Sequence, residues 1–425
     1  MPSGKKRFSL ILLCLIAFVF LSCTALAEGN TPIDYAAQLR LNKASETVKT
    51  EVTVRSFVDG DTTHFYVPET VSPSGVLKAR FLAINTPEIT GKVEEYGQQA
   101  ARFTKERLSI ASSILIESDD GKWNRDSTGD RHLVWVWYLP EAENEYRCLN
   151  LELLQNGLAI ANSTSNNRYG SICTAALNQA KAHKLGLYSG KKDPDFYYGE
   201  AIEMTLRELR TNLDAYNGKK VAFNGVVTAN LDQSVYVEAL DAETGLYFGM
   251  PVYYGHGLSG AGLDILAVGN EVRIVGTLQY YEAGDSWQVS GLTYRMMKPN
   301  DPGNIQMLSK GHAPAFAPVS AQDFAAGEVT LECSGDAKTF ARAKLALATS
   351  VSMDGLYVEK VIDNAGALTL LCTSGDASVR IHTLPFDGLS PQALEGKTLC
   401  VKGIADVHDG EYQIRVFSPE HILID

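Results

Sequence analysis

The sequence predicts an α+β domain, a small five-stranded barrel with helices packed on it, followed by two small all-β barrels. Three observations predict it. Between Val52 and Tyr188 short alternating strands interleave with runs at helical spacing. Beyond about residue 203 the texture turns to many short strands, and there one eight-residue pattern recurs from Gly218, Gly269 and Gly396. At 425 residues the chain exceeds one ordinary core, and roughly two to four domains are expected.

Taken in order, residues 1–27 read as an export signal. Lys5, Lys6 and Arg7 precede an apolar stretch from Phe8 to Leu21, and Ala25-Leu26-Ala27 fits a cleavage site. A second reading makes Cys23 a lipidated residue; either way the mature chain is expected outside the cytoplasm, secreted or as a cell-surface lipoprotein. Residues 28–50 are a polar leader. In the first domain, residues 51–195, Val52–Val58 alternates as a strand, Asp59-Gly60-Asp61 turns, and Thr62–Val67 returns. Lys78–Ile84, Ile114–Glu117 and Leu133–Tyr138 are further strands. Helices are expected over Glu94–Leu108, Leu149–Leu158 and Thr174–Leu185.

In the second half the recurring pattern is G-x-x-[VL]-x-[FV]-x-G with the sixth position relaxed: Gly218–Gly225, Gly269–Gly276 and Gly396–Gly403. A turn and an alternating strand follow the second and third copies, at Gly284–Val289 and Gly410–Ile414. Two such units, residues 203–297 and 320–425, resemble the OB-fold. Residues 298–319, rich in Pro, Gly, Asn and Ala, read as the linker between them. The first unit is rich in tyrosine but poor in cations, so aromatic packing is preferred to base stacking, with nucleic acid, protein or cell wall as candidate contacts.

Apolar content of 45% and charged content of 21% are ordinary for a globular protein. A net charge of −12 argues against a surface that grips nucleic acid everywhere, since phosphate affinity comes largely from Lys and Arg. The eight histidines are dispersed and no cysteines form C-x-x-C, so nothing points to zinc. Buried apolar thiols are the plain reading of the cysteines. Cys148, however, precedes one predicted helix and Cys173 begins the next, and in an exported chain a bridge between them is expected.

Four segments carry chemistry: Asp59–Thr62, Arg80–Glu88, Glu95–Ala100 and Asp130–Trp135. Clustered carboxylates on a turn suit a hard divalent ion that takes oxygen ligands. Phosphodiester hydrolysis needs such an ion, a base for water, and guanidinium groups for the phosphate oxygens. An isolated D-G-D is weak; all four segments in order are strong.

These segments, with Tyr96-Gly97, Phe103-Thr104, Leu151–Ala159 and Ala180–Tyr188, resemble the staphylococcal nuclease (thermonuclease) family over Val52–Tyr188. The resemblance implies a calcium-dependent endonuclease for DNA or RNA that favours unpaired strands. It implies Asp61, Asn85 and the main-chain oxygen of Thr86 as calcium ligands, with Asp59 behind them. Glu88 would hold or deprotonate the attacking water, and Arg80 and Arg131 would grip the phosphate. The departures are Asn85, where the family has Asp, and a one-residue insertion before Arg131 that makes Arg125 a fallback. Asn162–Ser165 stands where the family has an aromatic pair. The rival reading is a weakly active or inactive nucleic-acid-binding or protein-binding protein on a nuclease scaffold.

Overall fold

Strand alternation and close pairing build the same closed barrel three times. The computed structural model describes residues 32–425 except 129, 232, 334 and 409. The expected signal, Cys23 and the start of the polar leader lie outside the described residues. Among the described residues no helix is long and apolar enough to cross a membrane.

The first barrel comprises β1 (Lys49–Phe57), β2 (Thr62–Tyr66), β3 (Val76–Phe81), β4 (Ala111–Glu117) and β5 (His132–Pro140). Its order is β3-β2-β1-β4-β5, and β5 closes onto β3 in parallel through Ala79–His132, Arg80–Leu133 and Phe81–Val134. Helix α1 (Gly97–Ser109) links β3 to β4 and buries Ala100, Thr104 and Leu108 at four-residue spacing. Helices α2 (Leu149–Gln155) and α3 (Gly170–Ala182) follow. Val134 to Tyr138 is buried on both strand faces, between barrel interior and helices. The two indole N–H groups this buries donate to Asp119 (Trp135, 2.8 Å) and Glu117 (Trp137, 2.9 Å).

The third strand expected over Lys78–Ile84 breaks. Ala83 takes a positive φ of 64°, and Ile84–Asn85 leaves the barrel to pair with Ile160–Ala161. That turn is what aims Asn85 and Thr86 back toward the start of β2.

The second barrel, β6 (Lys220–Asn230), β7 (Ser234–Asp241), β8 (Leu246–Tyr253), β9 (Asn270–Tyr281) and β10 (Ser286–Ser290), runs β6-β7-β8-β10-β9 and closes β9 onto β6. The third, β11 (Ser350–Asn364), β12 (Ala367–Ser374), β13 (Ala377–Thr383), β14 (Thr398–His408) and β15 (Glu411–Val416), has the same order and closure. In all three barrels the third and fifth strands pair in parallel. The recurring pattern marks the starts of β6, β9 and β14. Its last glycine, Gly225, Gly276 or Gly403, sits where a Cβ would meet a neighbouring strand's carbonyl oxygen at 2.5–2.7 Å. The pattern is thus a record of strand crowding in the barrel wall.

Two expected boundaries shift. Within the expected linker, Gln306–Lys310 pairs with β9, and Ile305 enters the second core. The hairpin Glu328–Cys333 with Asp336–Ala341, expected in the second OB-like unit, sends Leu331 and Cys333 into the core of the preceding barrel. Short apolar alternation does not say which neighbour will cover it. Tyr236, Phe248 and Tyr254 are buried, as packing residues should be. Glu238 of β7 ties the last two barrels together. It is buried and accepts from Ala315 N–H (3.0 Å), Ser350 N–H (2.6 Å) and the Ser350 hydroxyl (2.7 Å).

The expected Cys148–Cys173 bridge is corrected: both are buried free thiols. Burial pushes the Cys148 thiol well above its usual range and Cys173 up to about 12, so both stay protonated and unreactive at neutral pH. At pH 8, iodoacetamide should therefore spare both in the native protein and label both in urea. Protection from label in urea until a reductant is added would restore the bridge.

Candidate active site

The site gathers at one end of the first barrel, where the β1–β2 turn, the end of β3 and the loop that follows it meet. Asp61 is fully buried at the start of β2. Its Oδ1 accepts from the Thr62 hydroxyl (3.1 Å) and from the Arg80 guanidinium; its Oδ2 accepts from Thr86 N–H at 2.7 Å. Arg80 also donates to the Asn85 side-chain oxygen. Asp59 accepts from Asp61 N–H at 3.0 Å and lies almost wholly buried behind it.

Gly60 explains the D-G-D turn. A Cβ there would stand 2.8 Å from Ala100 Cβ of α1 and 2.8 Å from Thr86 Cγ2. The Gly60 carbonyl accepts from the Thr104 hydroxyl at 2.6 Å, so the helix and the Thr86 loop both close onto the turn. Helix α1 is anchored in turn by Asp193, which accepts from Tyr96 N–H (2.6 Å) and the Gln99 amide (2.6 Å).

Glu88 is half-buried beyond Thr86 and Pro87. Its carbonyl accepts from Glu94 N–H at 2.9 Å, and its own N–H donates to the Glu94 carboxylate at 3.1 Å. Burial and then the Asp61 charge raise the Glu88 pKa, opposed by Arg80 and Arg131. Burial, then Asp61 and Glu88, push the Asp59 carboxyl well above the carboxylate range. Burial and the neighbouring carboxylates thus act in the same direction on Asp59 and Glu88, against the Arg80 charge.

Arg131 is held by Asp126, from Nε and from Nη2, each at 2.7 Å, across the insertion that sequence comparison found. Its charge is felt at Glu88, whereas that of Arg125 is felt at Asp130 and His132. Arg131 is thus tied to Asp126 in the loop before β5, while the main chain of Arg125 bridges that of His132. Asp126, Glu94 and Asp193 were not singled out from the sequence. Each acts by receiving a main-chain or guanidinium N–H across a fold, and isolated acids in loops carry no such signal.

The donors fit a hard divalent cation. The start of β2 supplies the Asp61 carboxylate and the loop after β3 the Asn85 amide oxygen and Thr86 carbonyl, all of them the oxygen ligands such an ion takes. Among the described residues no three His, Cys, Asp or Glu side chains enclose a metal position. A cation here would rest on one direct carboxylate and neutral oxygens. Arg80 addresses two of those same oxygens, so guanidinium and cation compete for one place.

Residues 78–190, from the end of β3 through the helices, match the family described as staphylococcal nuclease homologue, a likeness confined to the first domain. The match begins inside β3, yet the barrel closes only with β1 and β2, and Asp59 and Asp61 come from the turn between them.

Filling the Gly60 space should separate α1 from the Thr86 loop. Gly60→Val is expected to lower unfolding stability by about 1–3 kcal/mol through overpacking. An unchanged urea midpoint would show that this junction is loose.

Proposed function

We propose that the first domain is a calcium-dependent endonuclease that hydrolyses phosphodiester bonds of DNA or RNA. The observation that supports it most is the gathering of Asp61, Arg80, Asn85 and Thr86 by direct hydrogen bonds at one rim, with Glu88 two residues beyond. A divalent cation held by Asp61, Asn85 and the Thr86 carbonyl would supply neutralising charge to the phosphate. Glu88, whose affinity for a proton is raised by burial and by Asp61, accepts the proton of the attacking water. Arg80 and Arg131 hold the equatorial phosphate oxygens, and a bound phosphate is the partner that draws Arg80 away from Asp61 and Asn85. Asp59 keeps the Asp61 backbone in place from behind.

On this reading the enzyme acts outside the cytoplasm, secreted through the signal expected at residues 1–27 or anchored through Cys23. Free calcium of about 0.1–1 mM suffices for weak extracellular sites, which suits a site with one direct carboxylate. The rival reading, a binding protein that does not cleave, draws support from the neutral Asn85 and from the engagement of Arg80 with Asp61.

Single-stranded oligonucleotide incubated with calcium and then with chelator separates the two: cleavage abolished by chelator is expected, and no cleavage at millimolar calcium sinks the nuclease reading. Glu88→Gln, Arg80→Ala and Arg131→Ala should each cut turnover at least about a hundredfold, the scale of losing one base or transition-state donor. Arg125→Ala should stay within about threefold by the same scale; the reverse pattern would reassign the phosphate-binding arginine. Asn85→Asp should lower the calcium needed for half-maximal activity about tenfold or more, because affinity follows the number of anionic ligands. Equal midpoints would remove Asn85 from the ligand set.

A further inference from the structure

The loop that follows Glu88 is held from two barrels at once. Within the first domain, Glu94 ties down both polar groups of the Glu88 main chain. One residue further on, the carbonyl of Ile89 accepts from the side-chain amide of Gln279, which stands on β9 of the second barrel. Gln279 is buried, 4% exposed, and its Oε1 accepts from the fully buried Ser290 hydroxyl of β10. The amide orientation follows from chemistry: a carbonyl can only accept, so the NH₂ faces Ile89 and the oxygen faces the hydroxyl. Two further contacts lock the same junction. Lys105 of α1 pairs with Glu282, just past the end of β9, at 2.6 Å. The Tyr253 ring at the end of β8 stands against Gly91 in the loop.

We propose that Gln279 is a positioning residue for Glu88, and that the second barrel completes the catalytic site of the first. The proposal rests on the reading of Glu88 as the group that takes the proton from water. A general base must lie within hydrogen-bond reach of its proton, and a misplacement of about 1 Å can cost a hundredfold in rate. Glu94 fixes the Glu88 peptide, but the loop beyond it can pivot unless the Ile89 carbonyl is also held. The buried Gln279 amide would lose its acceptor if the loop moved, so the clamp favours one loop position. Glutamine suits this place because it supplies a neutral donor. A lysine would hold the same carbonyl while adding a charge beside the carboxylate cluster. On this proposal the residues that touch substrate lie in the first domain, but one that places them does not.

The test uses the full-length chain with single-stranded oligonucleotide and calcium, and reads kcat and KM separately. Gln279→Leu fills the space but removes the donor. It should lower kcat about tenfold to a hundredfold, leave KM within about twofold, and speed hydrogen exchange at the amides of residues 90–94. Lys105→Ala breaks the same junction without touching the loop, and should leave kcat unchanged. Should Gln279→Leu fail to fold, Ser290→Ala, which frees the glutamine to rotate, should give a smaller loss of kcat in the same direction. A kcat that survives these changes at Gln279 and Ser290, or an equal loss in Lys105→Ala, overturns the clamp. A wild-type chain that cleaves nothing sinks instead the nuclease reading beneath it, an outcome visible before any variant is made.

Discussion

The Asp61 carboxylate binds together three pieces of chain that are separate in sequence. It takes the Thr62 hydroxyl from its own strand, the Arg80 guanidinium from the end of β3, and the Thr86 N–H from the loop beyond. Its main-chain carbonyl accepts from Phe81 N–H at 2.8 Å, which fixes the end of β3 against the same turn. A buried carboxylate tolerates no vacant partner, so each of these groups is constrained by the others. The break in β3 at Ala83, the path to Glu88 and the outlook of Arg80 all follow from satisfying this one charge.

The cost of that arrangement is electrostatic crowding. Burial and then neighbouring carboxylates raise the proton affinity of Asp59 and Glu88, and the Arg80 charge opposes this at both. On the proposed reading such a pocket would take a cation and, through it, a phosphate, even on a chain whose net charge is −12. Activity would then depend on local geometry more than on capture at a distance.

Three barrels share one topology but not one task. The first adds helices and a loop that turns off β3 to form the acidic rim. The second lacks any comparable rim, yet a hairpin of it reaches the loop after Glu88 through Gln279. The third meets the second through Glu238 and a small shared apolar cluster around Tyr236 and Ile404. Neighbouring units are thus joined by specific buried polar groups as well as by apolar contacts.

The α+β first domain and its order of strands and helices were legible in the sequence from near-neighbour patterns, whereas Asp61, Arg80, Asn85, Thr86 and Glu88 were named together by the family resemblance. Alternation reports which face of a strand is buried, and short motifs report a turn whose residues must meet. The repeated glycine pattern was legible as well, although its cause, a neighbouring strand's carbonyl pressing on the strand, was not. What only the tertiary structure decided lies at long range. Residues 306–310 and 328–341 joined the second barrel because apolar alternation records that a face is covered, not by what. The two cysteines placed near each other by helix order remained separate buried thiols. The tie between Arg131 and Asp126 is likewise a loop contact that no motif announced. The Gln279–Ile89 bond spans 190 residues, and no local pattern can announce it, since a glutamine in a strand has the same spacing whether its amide meets water or another barrel's backbone.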